Sequence, residues 1–233
     1  MDKKTHITIC CPSRGRPDLA RRMSETAFST ADNPEKIDIK FYLNHDDPQL
    51  EVYKKVLSNY TIGNDRSTVM SWNMLAESSD SYLYMLAGDD IQFQTHGWDS
   101  EFMDQFETYP DGIFMISFCN GKDNLKTAPH PVVTKQWYES LGYFWPPQFF
   151  HWCVDSYTRD LAEAVNRYIY LDNITVKAKK ITDDPTAIKI RTKGIPERDE
   201  YVYKKLKQCY FKYDVEKLRK SIDENIHSNN NLG

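Results

Sequence analysis

Short apolar segments alternate with segments of helical periodicity along the first half of the chain. Three of the apolar segments, residues 7–11, 82–86 and 113–118, contain almost no polar side chain, which is typical of strands buried on both faces of a parallel sheet. A fourth, residues 37–43, alternates apolar and polar positions as a half-buried strand does. Helical spacing of apolar residues lies between them, for example over residues 98–106. This order predicts an α/β domain whose mostly parallel central sheet is flanked by helices.

The second half of the chain is less regular. A short helix is predicted over residues 134–141, and a longer one through residues 157–168 after a dense aromatic loop. Residues 174–178 have the composition of an edge strand, and residues 182–198, rich in Asp, Pro and charge, are predicted to form a mobile loop. Apolar spacing beyond residue 200 predicts one or two amphipathic C-terminal helices.

Composition limits the classes of function. The 233 residues are 40% hydrophobic and 27% charged, which is enough for a full core. A net charge of −4 gives no general electrostatic case for binding nucleic acid. The five cysteines lack zinc-ligand spacing, which indicates a reducing, cytoplasmic compartment. We expect no transmembrane segment, because no apolar run approaches membrane-spanning length, and no secretory signal.

The apolar segment 82–86 ends at a glycine and two adjacent carboxylates, Gly88, Asp89 and Asp90. A strand of a parallel sheet delivers such side chains to the carboxyl edge of the sheet, where open α/β folds bind ligands. Two hard oxygen donors suit Mg²⁺ or Mn²⁺, which proteins usually hold with one or two carboxylates and substrate phosphates. The alternative is a tight turn that uses Gly and Asp for their turn geometry.

Four stretches in this order resemble a GT-A type glycosyltransferase, similar to the large inverting family 2 of bacterial and phage sugar transferases. Residues 9–17 resemble the first strand and the loop that cradles the nucleotide, and residues 44–47 follow the second strand. Residues 64–76 resemble the helix before the metal-binding strand, and residues 86–90 occupy the Asp-x-Asp position. The likeness covers about residues 6–160 and implies a Rossmann-like sheet that binds a nucleoside-diphosphate sugar.

The resemblance implies roles for individual residues. The donor, most simply a UDP-sugar, would be bound by Pro12, Ser13, Arg14, Arg16, Asp46, Asn64, Arg66, Ser67, Asn73 and Asp89. The Mn²⁺ or Mg²⁺ ion would be held by Asp90, Asp89 and His151. The Asp-x-Asp motif is incomplete, because Ala87 or Gly88 stands where the first Asp would be. The histidine often found near the late strand of the family is also missing, which leaves His151 and His130 as substitutes for the third ligand.

An inverting transfer needs a general base for the acceptor hydroxyl. The family places an Asp near the start of a helix on the acceptor side, and Asp155 matches that position. Its alternative role is that of a first-turn carboxylate favoured by the helix dipole. The aromatic side chains Trp145, Phe149, Phe150 and Trp152 would then line the acceptor pocket, or else pack inside a lid.

The resemblance predicts that residues 1–182 form the catalytic domain. Residues 1–120 would be its donor half and residues 121–182 its acceptor half, while residues 183–233 add a loop and a C-terminal helical extension. The acceptor is an unknown glycan, lipid or protein, and a homodimer is among the open oligomeric states.

Three other readings stay open. Viral RNA polymerases also carry a Gly-Asp-Asp strand, although this chain is acidic and its alternating α/β order fits a palm poorly. A sugar-phosphate nucleotidyltransferase would want a glycine-rich loop after the first strand, where this chain has a single glycine, Gly15. The incomplete metal motif keeps a non-catalytic nucleotide- or carbohydrate-binding module as a third alternative.

Overall fold

The computed structural model describes residues 4–64, 66–121, 128–179, 184–192 and 194–230. Within them eight strands form one sheet. These strands are β1 (Thr5–Ser13), β2 (Ile37–Asn44), β3 (Tyr60–Gly63), β4 (Ser81–Leu86), β5 (Ile91–Phe93), β6 (Met115–Cys119), β7 (Val132–Thr134) and β8 (Tyr168–Ala178). The helices are α1 (Pro17–Thr30), α2 (Leu50–Val56), α3 (Thr68–Glu77), α4 (Trp98–Thr108), α5 (Lys135–Leu141), α6 (Val154–Ala164), α7 (Pro185–Thr192), α8 (Ile195–Cys209) and α9 (Phe211–Asn230).

The sheet has the strand order β3-β2-β1-β4-β7-β6-β8-β5. Strands β3, β2, β1 and β4 are parallel neighbours, as are β6 and β8, whereas β7 and β5 run antiparallel to the strands beside them. The predicted α/β class with a mostly parallel sheet, flanking helices and C-terminal helices is therefore confirmed. Because β1, β2 and β4 are parallel and adjacent, the loops that follow them meet at one edge of the sheet.

Two apolar clusters cover the two faces of the sheet. One face packs against α1, α2 and α4, whose largest buried side chains include Tyr53, Trp98 and Phe102. The other packs against α3, α5 and α6, and it also includes Leu206 of α8 and Leu218 of α9. The C-terminal helices therefore share the core of the sheet, while the division of the chain at residue 182 stays a prediction.

The structure corrects the predicted loop over residues 182–198. Among its described residues are the whole of α7 and the start of α8. Pro185 is the first residue of α7, and the Asp184 carboxylate accepts a hydrogen bond from the Ala187 amide at 2.9 Å. Pro196 lies in the first turn of α8. Both prolines occupy helix starts, where the fixed φ is favourable and the missing N–H costs nothing, so their presence did not indicate a loop.

The region between α6 and β8 differs from the prediction in a similar way. The helix predicted through residue 168 ends at Ala164, because Asn166 adopts a left-handed φ of 56°. Tyr168 instead begins β8, which pairs with β6 before it reaches the predicted segment 174–178. The short strands β3 and β7 were not predicted, because three or four residues carry too little periodicity to be recognised.

Candidate functional site

A cleft of about 220 Å³ lies at the carboxyl ends of β1, β2 and β4. The loops after these strands and the start of α3 form one side, and α7 with the aromatic loop before α6 forms the other. The predicted site residues that line it are Pro12, Ser13, Arg14, Arg16, Arg66, Asp89, Asp90 and His151. Asn44 lines the cleft as well, so the structure brings together residues from all four stretches that carry the resemblance.

Asp89 is buried below the floor of the cleft, with 1% of its surface exposed. Its Oδ2 accepts a hydrogen bond of 2.5 Å from the Ser13 hydroxyl, and Nη2 of Arg16 lies 2.9 Å from its Oδ1. Burial raises the pKa of Asp89 to about 6, against the opposing effects of Arg16 and Ser13. Asp89 therefore joins the turn after β4 to the loop after β1.

The loop after β1 is also tied to the end of β2. The Arg14 guanidinium forms two hydrogen bonds with the Asp46 carboxylate, at 2.5 and 3.1 Å, and this pairing lowers the pKa of Asp46. Asp47 is buried and accepts hydrogen bonds of 2.8 Å from the backbone amides of Gly15 and Gln49. Asp46 is therefore the more accessible of the two carboxylates for a ligand.

Asp90 differs from its neighbour, because its carboxylate lies over Gly88 and lines the cleft. A Cβ atom added at Gly88 would come within 2.7 Å of Asp90 Oδ1, so the glycine leaves room for that carboxylate. The backbone carbonyl of Asp90 accepts a hydrogen bond of 2.8 Å from the Lys179 amide, which fixes the turn against the end of β8. Asp90 is thus the carboxylate that the turn presents to a ligand.

His130 packs against the same glycine from the loop before β7. Its Cε1 atom lies 3.8 Å from the position of a Cβ at Gly88. Burial lowers the pKa of His130, while the Asp90 charge and a hydrogen bond to the Leu86 carbonyl oppose that effect. Burial of His130 therefore favours the neutral ring. Its Nδ1 is buried and has no hydrogen-bond partner in the described part of the chain.

The aromatic loop before α6 forms one wall of the cleft with Phe150, His151 and Trp152. All three backbone amides donate hydrogen bonds of 2.7–2.9 Å to the carboxylate of Asp199, which is fully buried in α8. His151 Nδ1 lies 3.1 Å from the Thr68 hydroxyl, and burial lowers the pKa of this histidine to about 4. Asp199, which was not predicted as a site residue, therefore fixes this wall.

The two other aromatic residues proposed for an acceptor pocket lie elsewhere. Trp145 and Phe149 are buried in the core, with 0% and 1% of their surfaces exposed. Phe150 and Trp152 line the cleft, and the Trp152 indole N–H donates to the Ile190 carbonyl of α7 at 3.2 Å. The aromatic loop thus serves both as packing core and as wall.

Three residues predicted to bind the donor have structural hydrogen bonds around α3. Ser67 is the N-cap of this helix and accepts from the Met70 amide at 3.1 Å. The Asn64 carbonyl accepts from the Tyr42 hydroxyl at 2.7 Å. The buried Asn73 side chain donates to two carbonyls and accepts from two amides, which uses its whole hydrogen-bonding capacity. Among the described residues, the lining of the cleft includes none of these three.

Asp155 lies in the first turn of α6, three residues beyond the cleft-lining Trp152. Its Oδ1 accepts a hydrogen bond of 2.7 Å from the Ser156 amide. Burial raises the pKa of Asp155 to about 6, although this hydrogen bond and Arg159 oppose the shift. A carboxylate with this pKa is ionised in most molecules at pH 7, as a general base must be.

The described residues contain no group of three or more His, Cys, Asp or Glu side chains arranged around a metal site. Mg²⁺ and Mn²⁺ are nevertheless often held by one or two carboxylates together with substrate phosphates. The partly buried Asp90 carboxylate lies over Gly88 and lines the cleft, and it fits an ion bound in that manner. That Asp89 and His151 bind the ion stays a prediction. The Asp89 carboxylate already contacts Arg16 and Ser13, and the His151 ring already contacts Thr68.

Sequence reasoning missed the contribution of α7 to the cleft. Thr186, Ala187, Lys189, Ile190 and Arg191 all line it. Among the described residues, the lining carries five cationic side chains and two carboxylates, namely Arg14, Arg16, Arg66, Lys189 and Arg191 against Asp89 and Asp90. Only the two closely spaced cations in a Pro-initiated helix could have suggested this, and nothing in the sequence shows where that helix packs.

No family model matches the sequence, and no curated protein matches it. Solved structures do match, and they include glycosyltransferases with bound nucleotide sugars. The chain thus shares the α/β fold of these solved structures.

The matching structures include S. aureus TarS and a mannosyltransferase, PcManGT from Pyrobaculum calidifontis. TarS 1–349 in complex with UDP-GlcNAc gives a TM-score of 0.61 at 10% identity, and the match covers 78% of this chain and 61% of that one. The same fragment in complex with UDP gives 0.58 at 9% identity, covering 75% and 61%. PcManGT in complex with GDP-Man and Mn²⁺ gives 0.55 at 11% identity, covering 94% and 74%.

The extent of these matches limits what they show. The present chain spans about three fifths of the TarS fragment and 37% of the longer TarS structure. At such low identity the likeness shows the fold, and it carries no residue roles across. In the described ranges, no helix is both long enough and apolar enough to cross a membrane.

Proposed function

We propose that this protein transfers a sugar from a nucleoside-diphosphate sugar, most simply a UDP-sugar, to a hydroxyl group of a glycan, lipid or protein. The observation that carries the proposal is the convergence of three strand ends on one cleft, with the Asp90 carboxylate at its floor and cations around it. We further propose an inverting transfer of the family 2 type, assisted by Mn²⁺ or Mg²⁺.

The charge distribution of the cleft supports binding of a diphosphate. Of the described residues that line the cleft, five are cations and two are carboxylates. Arginine and lysine form charge-assisted hydrogen bonds with phosphate oxygens, and these are stronger than neutral ones. Lys189 and Arg191 of α7 line the cleft, and they are proposed as additional contacts to phosphate beside Arg16, which pairs with the buried Asp89.

The remaining predicted residues divide between donor and acceptor. Asp46, joined to Arg14 at the end of β2, is proposed to accept a hydrogen bond from the base or ribose. When bound at Asp90, a divalent ion would stabilise negative charge on the departing diphosphate as a Lewis acid. Asp155 is proposed to take the proton of the acceptor hydroxyl, and Phe150 and Trp152 are proposed to contact the acceptor sugar.

A thermal-shift experiment tests the proposed donor site. The chain is heated with UDP, GDP, UMP or a UDP-sugar, each with and without Mn²⁺. A ligand that binds only the folded state at 100 times its dissociation constant stabilises that state by about 2.7 kcal/mol, so the melting temperature rises. We expect the diphosphates to raise it more than UMP does, and Mn²⁺ to increase the difference. If no nucleoside diphosphate or sugar nucleotide stabilised the protein, the proposed function would be wrong.

The cations of α7 give a second test of the same site. We expect Lys189→Ala and Arg191→Ala each to weaken UDP binding about 10-fold, because a hydrogen bond to a charged group contributes about 1.5–3 kcal/mol. Isothermal titration at constant salt measures this effect. Lys220→Ala is the matched control, since Lys220 is an exposed cation of α9 that pairs with Glu224 at 3.7 Å. If the wild type and the three variants bound UDP with equal affinity, α7 would not belong to the donor site.

A further inference from the structure

The two C-terminal helices carry a strong local excess of positive charge. Residues 204–220 contain seven Lys or Arg and two Asp or Glu, a net charge of +5 in a chain whose net charge is −4. The other residues of the chain therefore carry a net charge of −9. This segment attracts an anionic partner that the rest of the chain, on balance, repels.

One of the two carboxylates in this segment faces the interior of the protein. Asp214 accepts hydrogen bonds from the hydroxyls of Tyr143 at 2.7 Å and Tyr157 at 3.3 Å. The other carboxylate, Glu216, lies 3.7 Å from the Lys212 ammonium on the surface of α9. Exposed ion pairs of this kind are weak, so they leave the lysine available to another anion.

Three tyrosines of the same region are exposed to solvent. Among the large apolar and aromatic side chains that the structure describes, Tyr201, Tyr210 and Tyr213 are the most exposed, with relative exposures of 62%, 60% and 63%. A tyrosine ring is apolar and ends in a polar hydroxyl. Exposed tyrosines are therefore suited to a boundary that is apolar on one side and aqueous on the other.

The tyrosines and lysines share the outer faces of α8 and α9. Lys205 lies one turn after Tyr201, with its Nζ 5.5 Å from the centre of that ring, and Lys217 lies one turn after Tyr213. The opposite faces of both helices pack into one apolar cluster with α3, α5 and α6, so the outer faces point away from the sheet. We call the following six residues the tyrosine–lysine surface: Tyr201, Lys205, Tyr210, Lys212, Tyr213 and Lys217.

We propose that the tyrosine–lysine surface docks this protein on a bilayer that contains anionic phospholipids. Such a bilayer attracts lysines to its headgroups, and tyrosine rings lie at the level of the headgroups. A basic helix face combined with aromatic side chains is typical of helices that lie in the interface of a bilayer. A nucleic acid fits less well, because single strands are bound in positively charged grooves, whereas the outer face of a helix is convex. The proposal goes beyond the proposed function and does not depend on it.

The tyrosine–lysine surface lies on the helix that fixes one wall of the cleft. Tyr201 follows Asp199 by two residues in α8, and the Asp199 carboxylate accepts hydrogen bonds from three backbone amides of that wall. The 15 residues of α8 span about 22 Å at a rise of about 1.5 Å per residue. A docked chain therefore holds its cleft near the bilayer.

Sedimentation of the full chain with lipid vesicles tests the proposal. Vesicles of phosphatidylcholine alone are compared with vesicles of phosphatidylcholine and phosphatidylglycerol, each at low and at high salt. We expect binding to the anionic vesicles alone, and weaker binding at high salt. The double variant Lys205→Glu/Lys217→Glu should lower the partition coefficient about 10-fold or more. Tyr201→Ser/Tyr213→Ser should also lower it, although this variant keeps the net charge of the wild type.

Lys54→Glu/Lys55→Glu is the matched control for the reversal of charge. It changes the net charge by the same amount on α2, which packs against the other face of the sheet, and we expect it to bind anionic vesicles as the wild type does. All six substituted side chains in these three variants are exposed, so we expect melting temperatures close to that of the wild type.

Several outcomes would overturn the proposal. One is the absence of binding to anionic vesicles at low salt. Equal losses in the two charge-reversed variants would indicate attraction by net charge alone, and unchanged binding in the tyrosine variant would exclude the rings from the contact. A single-stranded oligonucleotide that bound more tightly than the vesicles, and lost affinity in Lys205→Glu/Lys217→Glu, would assign the surface to nucleic acid. Stabilisation of the same protein by UDP tests the proposed function separately, so the two failures are distinguishable.

Discussion

Asp90→Ala is expected to lose the part of donor binding that depends on Mn²⁺, and with it nearly all turnover. The carboxylate lines the cleft over Gly88, so its removal takes away the oxygen ligand without breaking a buried ion pair. A metal that stabilises charge on a leaving phosphate contributes several kcal/mol, and each 1.36 kcal/mol is tenfold in rate. We therefore expect kcat/KM for release of UDP from a UDP-sugar to fall about 10²–10³-fold.

The measurement combines a melting-temperature difference with a rate. The shift produced by UDP alone should be nearly equal in Asp90→Ala and the wild type, whereas the additional shift produced by Mn²⁺ should vanish in the variant. Asp104→Ala is the matched control, because it removes an exposed carboxylate of α4. An Asp90→Ala protein that Mn²⁺ stabilises as strongly as the wild type would show that the ion, if it binds, is held elsewhere.

The position of this site was predictable because it depends on local sequence. The five bulky residues before Ala87 indicate a buried strand, and a buried parallel strand must end at the ligand-binding edge of the sheet. The pattern of the sequence itself did not show that Asp89 and Asp90 have different surroundings. Adjacent side chains point in different directions, and only the packed loop after β1 shows that Asp89 contacts Ser13 and Arg16 while Asp90 lines the cleft.

Two other parts of the site were not predictable, because they depend on contacts between residues that are distant in sequence. His130 reaches Gly88 because β7 enters the sheet between β4 and β6, and a strand of three residues gives almost no periodic signal. Helix α7 lies beside the cleft because α8 anchors the aromatic loop through Asp199. Both arrangements depend on contacts between residues tens of positions apart, which neither composition nor spacing encodes.

Asp155→Asn is expected to bind the donor as the wild type does and to lose transfer. General base catalysis contributes about 10²–10⁴-fold, so kcat should fall by about that factor while the shift in melting temperature caused by UDP and Mn²⁺ is unchanged. The wild-type rate should also decline below about pH 6, where the carboxylate becomes protonated, because burial raises its pKa to about that value. Turnover that is unchanged in Asp155→Asn would remove this residue as the base.

The stability of the same variant separates a catalytic carboxylate from one that only stabilises the helix. The folded-state pKa of about 6 lies above the ordinary value of 3.8, so ionisation is harder in the folded chain than in the unfolded one. By linkage, the contribution of Asp155 to stability is fully present below about pH 4 and is lost as pH rises through about 6.

Asparagine keeps an oxygen that can accept the hydrogen bond from the Ser156 amide, and it has no charge to desolvate. We therefore expect Asp155→Asn to melt no lower than the wild type at pH 8. A clear loss of stability at that pH, with turnover preserved, would indicate that the carboxylate serves the start of α6 alone.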